Sequence, residues 1–167
     1  SWDLDAGEAA HLKNVLRLKV GDPCEVMDGK GKWAAGKIIS ISGKSASIES
    51  IEISSEEENK QKITLALGVL KAGSLDDLLP CITELGIDRI ELFLQAETAK
   101  NRISEKMQQR WERIVLQSVK QCKRSYIPEI IVFNSFEEWL SSAKQSLATK
   151  IVLDPHASDT LSKVCES

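Results

Sequence analysis

Hydrophobic positions change their spacing about one third of the way along the chain. Up to about residue 55, short apolar stretches alternate with polar residues and are separated by glycine-containing turns. Short strands at this spacing are typical of a small antiparallel β-barrel. Residues 7–17 precede them with a helical spacing, which predicts a short helix that buries Ala9, Leu12, Val15 and Leu16.

The second part of the chain alternates strand patterns with helix patterns. Its apolar runs predict four strands, at residues 63–70, 88–94, 129–133 and 150–154. Between and after them, helical spacing predicts helices at 74–85, 107–125 and 136–147. This alternation favours a mainly parallel α/β sheet with helices on its faces. Residues 55–62 carry no apolar side chain and read as a linker, so we expect two domains, 1–56 and 62–167.

The helix predicted at 107–125 carries two kinds of face. Its apolar stripe contains Met107, Trp111, Ile114, Ser118 and Cys122. A neighbouring polar row contains Arg110, Arg113, Gln117, Lys120, Gln121 and Arg124. Such a row suits an anionic or polar ligand, although basic residues on a helix are also ordinary solvated surface. The helix should end near Ser125, because Pro128 disfavours helical backbone at the residue before it.

The charge, the cysteine spacing and the length of the apolar runs limit which classes of protein this chain can belong to. The 167 residues carry a formal net charge of −3, so RNA binding would depend on local basic patches rather than on overall charge. The four cysteines form no CxxC pair, which argues against a metal site and disulfides and fits a reducing compartment. We therefore expect a cytoplasmic protein, or one in a plastid or mitochondrion if the source is eukaryotic. No apolar run reaches the ~20 residues that span a membrane, and no nucleotide-phosphate fingerprint follows a strand.

Several short motifs, in order, resemble one enzyme family. They are HLKNVLRLKVGD (11–22), MDGKG (27–31), TELGI (83–87), RW (110–111), QCKR (121–124) followed by Pro128, and LDPHAS (153–158). The chain resembles bacterial 16S ribosomal RNA uridine-N3 methyltransferases, the RsmE-like branch of the SPOUT superfamily. The resemblance implies an N-terminal PUA-like RNA-binding barrel. It also implies a trefoil-knot α/β domain that binds S-adenosylmethionine and works as a homodimer on the small ribosomal subunit.

The chain also departs from that family. Cys81 stands where members usually carry Lys, and Glu97-Thr98-Ala99 stands where they carry an Arg-containing segment. The family's Gly-Pro-Glu-Gly-Gly loop and its later Arg-rich cofactor segment are not in the sequence. The family's first strand is expected to be missing or short. The resemblance therefore implies an incomplete methyltransferase domain, and a second hypothesis is an RNA-binding protein without catalysis. A third is an α/β ligand-binding domain that binds no RNA.

Candidate RNA-binding residues lie in the first domain. By resemblance, Arg17 of the VLR motif faces RNA, and Lys13 and Lys19 lie close to it in sequence. Lys30 and Lys32 flank a glycine turn whose flexible tip would reach a backbone phosphate. Each of these residues is equally consistent with a surface cation that has no partner.

Candidate catalytic and cofactor residues lie in the second domain. Methylating uracil N3 removes its proton, and the Arg124 guanidinium would stabilise the negative charge that develops on the ring oxygens. Gln121 would hydrogen-bond the amide edge of the base. Alternatively, Arg124 caps its own helix, and in either role its side chain need not pack in the core. By resemblance, residues Leu153, Asp154, Pro155 and His156 line the adenosine end of the cofactor pocket. His156 also has the intrinsic pKa of a general base, but a lone His in a loop is more often only a loop residue.

Overall fold

The computed structural model describes residues 1–69, 72–95 and 103–165. The first part contains strand β1 (Trp2–Leu4), helix α1 (Ala6–Ala10) with a π-helical continuation (His11–Val15), and strands β2 (Pro23–Met27), β3 (Lys32–Ile41) and β4 (Ala46–Ser55). The second part contains β5 (Thr64–Val69), α2 (Ala72–Glu84), β6 (Arg89–Leu94), α3 (Glu105–Cys122), β7 (Glu129–Phe133), α4 (Phe136–Gln145) and α5 (Leu161–Cys165). The predicted fold class, an antiparallel sheet followed by a parallel α/β sheet, is confirmed.

The antiparallel sheet has the strand order β1-β4-β3-β2. Alternate residues of β3 and β4 point into one core with α1, as the period of two requires; the buried members include Ala34, Ile38, Ala46 and Ile48. Gly36 sits where β3 approaches β4 closely, since a Cβ there would lie 2.2 Å from the Glu49 carbonyl oxygen. β1 pairs only with β4, so the barrel is open between β1 and β2 in the described residues. A short first strand is therefore present.

The parallel sheet has the order β5-β6-β7. α2 and α3 pack over it and over each other, and the core includes Leu79, Ile90, Leu92, Trp111 and Val115. On the other side, Phe93 stacks on Trp139 of α4 with 4.9 Å between the ring centroids. The buried residues of β6, Ile90, Leu92 and Leu94, belong to the core with α2 and α3, while Phe93 contacts α4.

The helix at the start of the chain departs from its predicted burial pattern. Ala9 and Leu12 are buried, but Val15 is 65% exposed and Leu16 is 51% exposed. The reason is that α1 continues as a π-helix, closed by the Leu16 N–H donating to the His11 carbonyl at 3.1 Å. A π-helix has more residues per turn than the 3.6-residue spacing assumes, so Val15 and Leu16 rotate away from the core.

Two other helix termini differ from prediction. α2 begins at Ala72, earlier than the predicted start at residue 74, and Gly86 follows it with a φ of 93°. α3 ends at Cys122 rather than near Ser125, because Lys123 adopts the left-handed conformation with a φ of 56°. The stripe predicted on α3 is shifted as well: its buried residues are Trp111, Val115, Ser118 and Val119.

The fourth predicted strand, residues 150–154, does not form. Residues 149–154 carry no secondary structure, and Val152 is 85% exposed. An apolar run becomes a strand only where a neighbouring strand satisfies its backbone and covers its side chains, and this segment pairs with neither edge of the parallel sheet. Leu147, the last residue of the helix predicted at 136–147, is fully exposed because α4 ends at Gln145.

Candidate functional site

A basic and apolar segment lies at the end of the first helix. Lys13, Arg17 and Lys19 are exposed, and none of them forms an ion pair with another described residue. Arg17 has a φ of 56°, which directs the chain out of the π-helix. The neighbouring Val15 and Val20 are 65% and 59% exposed. Unpaired cations beside apolar surface are chemically suited to phosphates and bases, and the RNA-binding role of Lys13 and Arg17 stays a prediction.

The turn that carries Lys30 is ordered by Asp28. One carboxylate oxygen of Asp28 accepts the backbone N–H groups of Lys30 at 2.7 Å and Lys32 at 3.0 Å. Partial burial works to raise the pKa of Asp28, but these hydrogen bonds and the charges of both lysines outweigh it and lower the pKa.

The same turn forms an antiparallel bridge between Lys30 and Tyr126, in the connection that follows α3. The prediction of a flexible tip is therefore wrong, because hydrogen bonds hold the turn from both sides. Lys30 is exposed, and its contact with RNA stays a prediction.

The polar row of α3 does not form one surface. Arg110 pairs with Asp76 of α2 at 2.5 Å, and Lys120 pairs with Glu8 of α1. Arg113 stays exposed and donates to a carbonyl of its own helix. The row is divided because its members have different partners, Asp76 of α2 near the start of α3 and Glu8 of α1 near its end. Asp76 keeps one buried carboxylate oxygen without a hydrogen-bond partner in the described part of the chain.

Arg124 points inward and joins α3 to α2. Its Nη1 donates to the carbonyl oxygens of Thr83 and Ile87, both at 2.8 Å, and its Nη2 lies 3.7 Å from Asp88. The side chain, which in the predicted roles need not pack in the core, is only 17% exposed and lies against the end of α2. Arg124 caps the C-terminus of α2 rather than that of its own helix, because Lys123 turns the chain back across α2.

This position lies at the amino ends of the parallel strands, since Asp88 directly precedes β6 and Pro128 directly precedes β7. Open α/β sheets bind ligands at the opposite, carboxyl ends. Gln121 is exposed and forms no side-chain hydrogen bond with a described residue. The catalytic roles of Arg124 and Gln121 stay predictions.

The carboxyl ends of β5 and β6 lead into residues 70–71 and 96–102, which lie outside the described residues. The departure noted at Glu97-Thr98-Ala99 falls there too. After β7, the Asn134 backbone N–H donates to the Glu138 carboxylate of α4 at 2.7 Å. A surface depression of about 400 Å³ lies elsewhere, along α3 at Gln109, Glu112, Arg113 and Leu116.

The predicted cofactor residues lie in an exposed turn. Leu153, Asp154, Pro155 and His156 are all exposed. The Asp154 side chain accepts the backbone N–H of His156 at 2.8 Å, and its carbonyl accepts that of Ala157 at 3.0 Å. An adenosine ring needs an apolar slot with a few polar groups, and no other described element covers this turn. These four residues do not by themselves fit S-adenosylmethionine.

Other chemistry is sparse in the described ranges. They contain no group of three or more His, Cys, Asp or Glu that could hold a metal ion. Burial raises the pKa of the Cys24 thiol, so it stays protonated and unreactive. Within those ranges no helix has the length and apolar character to cross a membrane.

Sequence reasoning missed Tyr126, whose hydroxyl donates to the Glu56 carbonyl at 2.9 Å and links the two sheets. The sequence signal for this contact was the pair Gly29 and Gly31, because a glycine has no Cβ and allows another segment to approach closely. It also missed Asp76 as the partner of Arg110, for which the signal was the position of Asp76 in the first turns of a predicted helix.

An open antiparallel sheet followed by a three-stranded parallel sheet with packed helices places this chain in a two-part α/β class. Residues 57–167 match the RNA methyltransferase domain family, and residues 4–49 match the RNA methyltransferase PUA domain. The chain therefore belongs to the family of RNA methyltransferase domains, here preceded by the matching PUA domain.

The names of individual relatives agree with the family matches. The chain is 29% identical over 139 residues to the ribosomal RNA small subunit methyltransferase E of Synechocystis. The aligned region covers 81% of this chain and 45% of that protein. A crystal structure of a predicted RNA methyltransferase from Thermotoga maritima superimposes with a TM-score of 0.69 at 26% identity, over 78% of this chain and 60% of that one.

The ribosomal RNA small subunit methyltransferase E of Neisseria gonorrhoeae, solved with S-adenosylmethionine bound, gives a TM-score of 0.66 at 24% identity, over 79% of this chain and 55% of that one. This likeness shows a shared fold. The chain spans about half the length of the curated relatives it matches.

Proposed function

We propose that this chain is the RNA-gripping sheet and the first part of the catalytic domain of an enzyme that methylates uridine N3 in 16S ribosomal RNA with S-adenosylmethionine. The observation that carries the proposal is the order of the two family matches on the two sheets, with a ribosomal RNA methyltransferase among the relatives. The specificity for uracil N3 rests on the motif resemblance. The homodimer and the trefoil knot rest on it as well.

On this proposal the exposed segment at Lys13 and Arg17 contacts RNA phosphates, with Lys30 as a further contact. Phosphate contacts position an RNA without reading its sequence. They suit a protein whose net charge of −3 gives no general attraction to RNA, because such contacts need only a few exposed local cations.

The proposed chemistry at the base needs a positive group. Loss of the N3 proton leaves negative charge on the ring, which a preorganised guanidinium stabilises. Arg124 reaches a base only if its guanidinium leaves the Thr83 and Ile87 carbonyls, so a second proposed role for it is to hold α2 and α3 together. Gln121, exposed in the last turn of α3, is free to meet a ligand.

The cofactor supplies the methyl group when it is bound. The Neisseria gonorrhoeae relative holds S-adenosylmethionine, which supports the same cofactor here. Leu153 to His156 do not fit it in their exposed turn, so binding would require other segments to cover them.

A second candidate function is RNA binding without methyl transfer. The exposure of the four predicted cofactor residues favours it. The two functions differ in cofactor binding and agree in RNA binding.

The test is calorimetry of this chain with S-adenosylmethionine, together with methyl transfer to 30S subunits, using the Synechocystis relative as the positive control. Cofactor binding and a methyl group at uridine N3 support the enzyme. Binding of a ribosomal RNA fragment without cofactor binding supports the second function. No RNA binding in low salt contradicts both. Light scattering during gel filtration measures whether the chain is a dimer.

A further inference from the structure

The contact between the two sheets is built mainly from backbone groups. We call it the sheet junction: the turn at residues 28–31, Glu56, and the connection at residues 125–127. The Gly31 N–H donates to the Ser125 carbonyl at 2.9 Å, and the Ile127 N–H donates to the Gly29 carbonyl at 3.0 Å. These two bonds extend the antiparallel pairing of the first sheet onto the second part of the chain.

Tyr126 adds a side-chain hydrogen bond to the junction. Its hydroxyl donates to the carbonyl of Glu56, the first residue after β4, at 2.9 Å. The Glu56 N–H in turn donates to the Gly31 carbonyl at 2.8 Å. Burial raises the pKa of Tyr126, and the carboxylates of Glu58, Glu56 and Asp28 raise it further, so the phenol stays protonated near neutral pH.

The glycines of the turn are required by this closeness. Gly31 is buried and has a φ of 98°, and a Cβ there would lie 2.3 Å from the Tyr126 hydroxyl and 2.8 Å from the Glu56 carbonyl oxygen. The second neighbour is backbone and cannot move aside cheaply. Gly21 has a similar φ of 94°, but nothing lies within 4 Å of its Cβ position. An alanine at this position would therefore meet the same backbone strain without the steric crowding that it meets at Gly31.

The parallel-sheet side of the junction is rigid. Arg124 holds the connection to the end of α2 by two hydrogen bonds, and Ser125 and Pro128 are buried. On the other side, Asp28 fixes the turn through the N–H groups of Lys30 and Lys32. Movement at the junction would therefore rotate one whole sheet relative to the other.

Little else restrains the two sheets. Residues 55–64 between them are all exposed, and eight flexible residues span a root-mean-square distance of roughly 15 Å. Met27 packs against the core of the parallel sheet, but the ion pairs Lys120–Glu8 and Lys123–Glu25 are partly or largely exposed and contribute little.

We propose that the sheet junction is a positioning element, which holds the basic segment of the antiparallel sheet in one orientation to the parallel sheet so that one RNA contacts both. Its central residues are Gly31 and Tyr126. The inference rests on the proposed function in taking RNA as the ligand. Two modules joined rigidly bind a shared ligand more tightly than two joined by a free linker, because the second contact becomes intramolecular at a favourable geometry.

The test compares Gly31→Ala and Tyr126→Phe with the unchanged chain and with Gly21→Ala as the matched control. Spin labels are placed at Cys81 of α2 and at Lys44→Cys in the β3–β4 turn, after replacement of Cys24, Cys122 and Cys165 by Ser. Pulsed electron paramagnetic resonance measures the distribution of distances between the sheets. Filter binding measures the affinity for a 16S ribosomal RNA fragment on protein shown to be folded by circular dichroism.

We expect Gly31→Ala to broaden the distance distribution and to weaken RNA binding on the order of 10-fold, with a smaller change in the same direction for Tyr126→Phe. Gly21→Ala should change neither. An unchanged distribution in Gly31→Ala overturns the proposal, and so does a broadened one with unchanged RNA affinity. If the unchanged chain binds no RNA, the proposed function fails separately, while the distance measurement still decides whether the junction orders the sheets.

Discussion

At the scale of single residues, what a side chain does here depends on the backbone groups it meets. Arg124 satisfies carbonyls at the end of α2, and Asp28 satisfies two N–H groups of a turn. Both side chains are charged, and both belong to motifs that suggested ligand contacts. Their partners come from the chain itself.

Replacement of Arg124 by Ala should lower the free energy of unfolding by about 2 kcal/mol, because two carbonyl oxygens lose a charged donor in a partly buried place. Arg113→Ala is the matched control, since that guanidinium is exposed and bonds only its own helix; it should change stability by less than about 0.5 kcal/mol. Urea denaturation measures both. Equal, small effects would remove the structural role and leave the catalytic prediction for Arg124 in place.

Asp28 should make stability depend on acid pH. Its pKa is lowered in the folded chain from an ordinary value of 3.8, so its contribution is present above that value and is lost as pH falls through the folded pKa. The melting temperature of Asp28→Asn should therefore fall less between pH 7 and pH 3 than that of the unchanged chain. Parallel pH dependences in calorimetric scans would show that the carboxylate charge does not stabilise the turn.

At the scale of elements, the connection from α3 to β7 joins three parts of the fold: α3, the end of α2 and the antiparallel sheet. α3 begins at the Ser104 cap, which accepts the Met107 N–H at 3.3 Å. It ends because Lys123 takes a left-handed conformation that is unfavourable for a residue with a side chain. This turn brings Arg124 onto α2 and Tyr126 onto the antiparallel sheet.

Lys123→Gly should stabilise the chain relative to Lys123→Ala by about 1 kcal/mol, because glycine adopts a positive φ without steric cost. The alanine variant is the right comparison, since both variants lose the exposed ion pair with Glu25. Thermal denaturation followed by circular dichroism at 222 nm is the measurement. If alanine is as stable as glycine, the left-handed conformation carries no strain.

At the scale of the whole molecule, an acidic chain presents a local basic segment and holds two sheets through one junction. The net charge of −3 means that salt should affect RNA binding through a few contacts only. The two sheets have separate cores, one around Ile38 and Ile48 and one around Trp111 and Leu92. The contacts between the two sheets therefore determine how the sheets are placed relative to each other.

Arg17→Ala should weaken binding to a ribosomal RNA fragment and reduce the slope of log affinity against log salt by about one unit, because one phosphate contact is lost. Lys44→Ala removes the same charge from the exposed β3–β4 turn and should leave the slope unchanged. Filter binding across a salt series measures both. Equal slopes for Arg17→Ala and the unchanged chain would take Arg17 out of the interface.

The features that depend on local pattern were predictable from the sequence alone. Alternation and glycine turns predicted the antiparallel strands, continuous apolar runs predicted β5, β6 and β7, and an apolar-free segment predicted the linker. The family resemblance rests on the motifs at residues 11–22, 27–31, 83–87, 110–111, 121–124 and 153–158. These succeed because side-chain period and turn chemistry act within a few residues.

The features that depend on distant partners could not be predicted from local pattern and follow from the fold. Residues 150–154 have the composition of a strand but no neighbour to pair with, and the predicted cofactor residues lie exposed beyond them. The Lys30 turn reads as a mobile tip until Tyr126 is placed against it, and Arg124 reads as a surface cation until α2 ends beside it. Backbone hydrogen bonds between segments about 40 and 100 residues apart leave little trace in local composition, because almost any residue supplies the donor or the acceptor.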